Sequence, residues 1–175
     1  MQVYNRSPGL KVPICSFDAK TGVLCAKCEA RLQSGSLTQD DVDASIKLSR
    51  VASKSQEVDK FTLVKSARVD DDFVLVLRNP DVMALRRNQA LSERIGKEFG
   101  QKVWFLESES SERQFVESLF YPARVLSVNQ FWLPDGKVTK VVVAGRPDQK
   151  KDIVKIQKIA KAVRNIELLV EFENR

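Results

Sequence analysis

Residues 125–144 read VLSVNQFWL, PDG, KVTKVVVA, and this stretch decides the fold. Two runs rich in β-branched and aromatic residues flank Pro134-Asp135-Gly136. That triplet is a strong turn signal, because Pro presets φ and Gly tolerates a positive one. The pattern predicts a hairpin of strands at Val125–Leu133 and Lys137–Ala144. Upstream, Glu112–Phe120 puts Phe115, Val116 and Leu119 on one helical side. Downstream, Ile153, Ile156, Ala160 and Val163 form the apolar face of a second helix, and Ile166–Phe172 reads as a closing strand. Residues 111–175 thus read α-β-β-α-β.

Working outward, residues 37–107 give the same order. Thr38 and Asp41 suit a helix N-cap, and Val42, Ile46 and Val51 approximate an apolar stripe. Phe61–Val69 and Phe73–Arg78 flank Asp70-Asp71-Asp72, a second hairpin signal, and Pro80 ends the second strand. Two helical pieces follow, Val82–Leu85 and Ala90–Phe99, joined by Arg86-Arg87-Asn88-Gln89. Leu91, Ile95 and Phe99 mark one face, Gly100 a stop, and Val103–Leu106 a third strand. The halves share a pattern with slight identity. The fold class expected is α+β, with an N-terminal segment over 1–36, one unit over 37–109 and a second over 110–175.

The chain has 175 residues, is 43% hydrophobic and 30% charged, and holds only seven Gly and six Pro, which describes a folded protein. Met1–Val12 is polar, is broken by Pro8 and has no apolar core of signal-peptide length. Runs such as Phe73–Leu77 and Val141–Ala144 are too short to span a bilayer. A cytoplasmic protein without membrane association is expected.

All three cysteines fall in residues 15–28, an odd number that does not suit a secretory disulfide framework. The motif is Cys15-Ser-Phe-Asp18, six residues, then Cys25-Ala-Lys-Cys28. Two ligands separated by two residues, a short loop and a second such pair is how a zinc knuckle wraps four ligands. Asp18 stands where a fourth Cys would, and the chain has no His to serve instead. Free thiols, or a redox pair at Cys25 and Cys28, are the alternatives; no βαβ unit surrounds them to favour redox chemistry. Metal binding by Cys15, Asp18, Cys25 and Cys28 is the expectation, with zinc ahead of an iron–sulfur cluster. Few local apolar residues reinforce it, since so small a segment needs a clip to fold.

Net charge is +6, and its placement says more than its sum. From Arg146 to Arg164, seven cations (Arg146, Lys150, Lys151, Lys155, Lys158, Lys161, Arg164) face Asp148 and Asp152, a net +5. Arg86–Lys102 carries a net +3, so the remaining residues are slightly acidic. Lys155, Lys158, Lys161 and Arg164, spaced by threes, trace one side of a helix away from Ile153 and Ile156. A solvated helix face accounts for them alone. With Arg146, Lys150 and Lys151 just before, a phosphate-binding surface is expected. Arg86, Arg87, Asn88 and Gln89 could hold a sugar-phosphate backbone or form a solvated loop. Trp104, Trp132, Phe131 and Tyr121 could stack bases, though aromatics beside strands more often pack. Without His, a Gly-rich phosphate loop or a Gly-x-Ser-x-Gly motif, neither an enzyme nor a small-molecule substrate is expected.

The doubled α-β-β-α-β unit with a basic helix–loop–helix resembles tandem type II KH domains. Three further runs carry the likeness on: Pro13-Ile14-Cys15…Cys28, Phe120-Tyr-Pro-Ala-Arg124 and Trp132-Leu-Pro-Asp-Gly136. Together these resemble archaeal NusA-like proteins, a family of transcription elongation or termination factors. The resemblance implies two KH units presenting a single-stranded RNA surface, with RNA polymerase as partner; the ribosome or another ribonucleoprotein is the alternative. KH modules clamp nucleotides with a Gly-x-x-Gly loop. This chain has Arg86-Arg87-Asn88-Gln89 there, and Pro147-Asp148-Gln149-Lys150 in the second copy, so contact through charge is what the loops allow.

Overall fold

The computed structural model describes residues 9–145 and 150–174, with the backbone alone at Lys150 and Lys151. The chain divides into two compact units, Met1–Glu109 and Ser110–Arg175. The first holds α1 (Ser16–Thr21), α2 (Ala26–Gln33), α3 (Gln39–Ala52), a 3₁₀ turn at Val58–Lys60, β1 (Leu63–Val69), β2 (Asp72–Leu77), α4 (Asn79–Arg87), α5 (Gln89–Phe99) and β3 (Val103–Glu107). The second holds α6 (Glu112–Phe120), β4 (Val125–Leu133), β5 (Gly136–Ala144), α7 (Lys150–Arg164) and β6 (Glu167–Glu173). The protein is thus mixed α+β, with one three-stranded sheet in each unit.

In the first unit, Thr38 caps α3 by accepting from the Asp41 N–H, while the Asp41 carboxylate accepts from the Thr38 N–H. Such reciprocal capping satisfies two N–H groups that the helix itself cannot. The other Asp41 oxygen accepts from the Ser66 N–H at 2.8 Å and its hydroxyl at 3.1 Å, which ties α3 to β1. β1 runs antiparallel to β2, and β2 parallel to β3, in the order β1-β2-β3. The hairpin turns at Asp70, whose φ of 51° suits an Asp, since its short polar side chain tolerates the left-handed region. A parallel pair needs a crossover, supplied by α4 and α5. Leu91, Ile95 and Phe99 of α5 pack with Leu48 of α3 and with Phe73 and Leu75 of β2. The Phe73 and Phe99 rings meet edge to face at 5.1 Å. Gly100 closes α5 at φ 69°, where a Cβ would be strained.

Residues 86–89 do not form the open loop that the sequence suggested. Pro80 sits in the first turn of α4, so the residue that ends β2 also starts a helix. Arg86 and Arg87 complete its last turn, and Gln89 already belongs to α5. Only Asn88 stands between; its side chain caps α5 by accepting from the Leu91 N–H at 3.3 Å.

The cysteine segment belongs to the first compact unit, because it shares a core with α3. Ile14, Ala19, Cys28 and Leu37 are buried with Val42 of α3, and Leu24, Leu32 and Ile46 pack at the margin. Residues 10–12 are also tied to β1: the Lys11 N–H donates to the Phe61 carbonyl at 3.0 Å, and the Leu63 N–H to the Lys11 carbonyl at 2.8 Å.

The second unit repeats the sheet plan, with β4 antiparallel to β5, β5 parallel to β6, and the order β4-β5-β6. The hairpin has the expected ends, with Leu133 opposite Gly136. Phe115, Val116 and Leu119 of α6 are buried, as are Ile156, Ile159, Ala160 and Val163 of α7. Glu112 anchors α6 to β5 by accepting from Lys137 Nζ and from the Thr139 hydroxyl, each at 2.7 Å. Among the described residues, no helix is long and apolar enough to cross a membrane.

Candidate functional site

Cys15 and Cys25 occupy the N-caps of α1 and α2, and Asp18 and Cys28 lie three residues further on, in each helix's first turn. On a helix, the cap residue and the one three on face the same way. Two short helices therefore each aim a pair of donors at one point. Between them, Gly22 ends α1 at φ 76° and donates its N–H to the Asp18 carbonyl at 2.8 Å, reversing the chain toward Cys25. Arg31 of α2 donates to the Pro13 carbonyl at 2.8 Å and fixes the approach to Cys15.

The four donor atoms, three Sγ and one carboxylate oxygen, lie within 4.8 Å of one another. Tetrahedral zinc–thiolate bonds of 2.3 Å would set sulfurs about 3.8 Å apart, so a small contraction closes the cage. Asp18 is wholly buried, with Oδ2 accepting from the Cys25 N–H at 2.9 Å. Its Oδ1 is also buried and, among the described residues, has no hydrogen-bond partner, a costly state for a carboxylate unless a cation meets it. The Cys25 backbone N–H, with the neighbouring thiols, holds the Asp18 carboxyl down at about 2. At Cys28, a backbone hydrogen bond involving Cys15 works downward. Burial and the neighbouring Asp18 and Cys25 outweigh it and push the thiol up to about 11. At Cys15, backbone hydrogen bonding involving Asp18 likewise lowers the thiol, and the Asp18 side chain with burial leaves it raised overall. Crowded thiols that resist ionisation beside a fixed carboxylate are what a bound cation would reverse. These four residues can bind a metal ion; the redox alternative has no support from geometry beyond the shared proximity.

The basic residues are distributed differently. Arg86, Arg87 and Gln89 are exposed and Asn88 is half-buried, with the Gln89 amide donating to Glu93 at 3.0 Å. On α7, Lys158 and Lys161 are exposed and Lys155 is half-buried; Lys161 pairs with Glu167 at 3.2 Å. Arg164 leaves the stripe. Its guanidinium donates to the Ser110 carbonyl at 2.8 Å and lies over the Phe115 ring at 4.5 Å, so it holds the start of α6. Arg146 and the side chains of Lys150 and Lys151 lie outside the described residues, as does the Pro147–Gln149 loop.

Of the aromatics, Trp104 is half-buried and donates to Asp72 at 2.9 Å, with Lys102 over its ring at 4.4 Å. Trp132 is 79% exposed near the β4–β5 turn, between the exposed Phe131 and Leu133. Packing was the expected lot of these side chains; Trp132, Phe131 and Tyr121 depart from it by being exposed. The buried role of Asp41 was missed as well. Its spacing to Thr38 signals a cap, but nothing local signals Ser66, which only the fold brings near.

No family model matches the chain, and no curated protein does. Among solved structures, "Crystal structure of APE1850" is similar, at 16% identity over 73% of this chain and 95% of that one, with a TM-score of 0.51. At that identity the likeness concerns the fold.

Proposed function

We propose that the protein is an RNA-binding factor of the NusA-like kind, built from two degenerate type II KH units and a zinc knuckle, and does no catalysis. The observation that carries this reading is the sheet plan repeated in both units. A helix leads into an antiparallel hairpin, and a helical crossover returns to a third strand parallel to the second. That plan is the α-β-β-α-β order of a type II KH unit. With it come the exposed cations Arg86 and Arg87 at the first crossover, Lys158 and Lys161 on the second, and a cage suited to zinc. Zinc fits better than an iron–sulfur cluster, because one of the four donors is a carboxylate.

One observation favours a second reading, a fixed accessory subunit of the ribosome or another ribonucleoprotein. At the α4–α5 junction, Asn88 is committed to capping α5 and no glycine lets the backbone close on a phosphate. Affinity purification of the tagged full chain separates the two. RNA polymerase subunits in the eluate support the transcription factor; ribosomal proteins support the accessory subunit. Retention of neither, with no RNA, would discard both.

A further inference from the structure

A cleft of about 890 Å³ opens between α1, the C-terminal end of α3 and the segment that follows it. Its walls carry Lys20 from α1, Arg50 from α3 and Lys54 just beyond, all exposed, against one carboxylate among the described residues, that of Asp59. Ser16, Ser49, Ser53 and Ser55 add polar lining, and Leu10, Val12 and Ala52 an apolar part. A helix dipole favours cations at its C-terminus, which accounts for Arg50 and Lys54. It accounts for Lys20 as well, in the last turn of α1, but not for the convergence of two helix C-terminal ends on one cleft. Arg50 is 63% exposed and reaches Glu98 only at 3.5 Å, an ion pair weak enough for a phosphate to displace.

We propose that this cleft is a second RNA-backbone site, taking phosphodiesters of a single strand through Lys20, Arg50 and Lys54, and that the metal centre sets its geometry. The proposal rests on the RNA-binding reading and extends it to a surface outside both crossovers. Three cations against one carboxylate give the cleft a net +2. Its volume lies in the range of about 300–1,000 Å³ usual for ligand sites. The coupling to the metal follows from the chain. Ser16, Ala19 and Lys20 line the cleft, and they share the six-residue helix α1 with the candidate ligand Asp18. A metal that pins Cys15 and Asp18 therefore pins the wall that carries Lys20, and without it that wall must order itself as RNA binds.

The test uses the zinc-loaded full chain and a short single-stranded RNA, with affinity read across a salt titration. Lys20→Glu with Lys54→Glu should weaken binding about tenfold at low salt and reduce the slope of log K against log salt by about 1.4, for two lost phosphates. Lys65→Glu with Lys97→Glu makes the same charge change on exposed residues outside the cleft and should leave that slope nearer the parent's. Removing zinc with a chelator should weaken RNA binding by the parent and have little further effect on the Lys20/Lys54 variant. Circular dichroism checks that each variant is folded. If the parent binds RNA and the two double variants behave alike, the cleft proposal falls while the RNA reading stands. If the parent binds no RNA, both fall. Competition by inorganic phosphate, with no RNA effect of the cleft variant, would make the cleft a free-anion site and also overturn the proposal.

Discussion

Asp18 has one carboxylate oxygen committed to the Cys25 N–H and the other buried beside the thiols without a hydrogen-bond partner among the described residues. A residue so placed is expensive in a metal-free protein and well used in a metalloprotein. Protein purified without added metal should carry close to one equivalent of zinc by elemental analysis. Cys28→Ser, which alters the buried thiolate, should lose most of it, and Asp18→Ala should weaken retention while three thiolates remain. A metal-free protein whose residues 13–36 are fully folded would contradict the centre. Another buried carboxylate with a defined task is Asp41, which joins the cap of α3 to Ser66 of β1. Asp41→Ala strips partners from both, and should cost about 2–3 kcal/mol in urea unfolding, as for other hydrogen bonds to charged groups. A loss under about 0.5 kcal/mol, the scatter of ordinary surface changes, would show that the link carries little.

Within the elements, the helix-to-sheet contacts of the second unit are polar at one end. Burial works to raise the Glu112 carboxyl, but hydrogen bonds from Lys137 and Thr139 outweigh it and leave it below its ordinary 4.5. A carboxyl depressed in the folded state contributes stability above its unfolded value, and that contribution fades as pH falls through the folded one. Acid destabilisation below about pH 4.5 should therefore be shallower in Glu112→Gln than in the parent. Equal slopes in acid unfolding curves would remove Glu112 from the account. The elements themselves were largely legible in the sequence, because each signal was local. Val125–Leu133 is rich in β-branched and aromatic residues and ends at a Pro-Asp-Gly turn, Thr38 and Asp41 sit at cap spacing, and Leu91, Ile95 and Phe99 repeat every four residues. The α4–α5 junction was misjudged because Pro80 carries two signals, a strand stop and a helix start, and only the first was read. Asn88 makes the consequence measurable. Asn88→Ala should cost about 1 kcal/mol by loss of the cap. It should leave RNA affinity nearly unchanged, if the junction acts through the charges of Arg86 and Arg87.

At the scale of the whole molecule, the candidate metal ligands were legible because Cys-x-x-Asp and Cys-x-x-Cys are short-range patterns that two helix starts convert into one cage. The basic cleft was not, since Lys20, Arg50 and Lys54 meet only after α1 packs on α3. Arg164 shows the reverse. It belonged to a regular stripe in the sequence, yet the fold turns it onto Ser110 and Phe115. Spacing locates a residue on a helix, and packing decides which way it is used. The central claim, RNA binding through charge, is tested most directly by the affinity of the full chain for unrelated single-stranded RNAs across a salt titration. The account predicts binding with little sequence preference and a steep fall with salt, because each neutralised phosphate releases counterion. Reversal of Lys150, Lys151 and Lys155 to Glu should weaken binding to every RNA and flatten the slope by about 2, with circular dichroism to check that the variant is folded. Binding by that triple variant equal to the parent's at every salt concentration, or no binding by the parent, would contradict it.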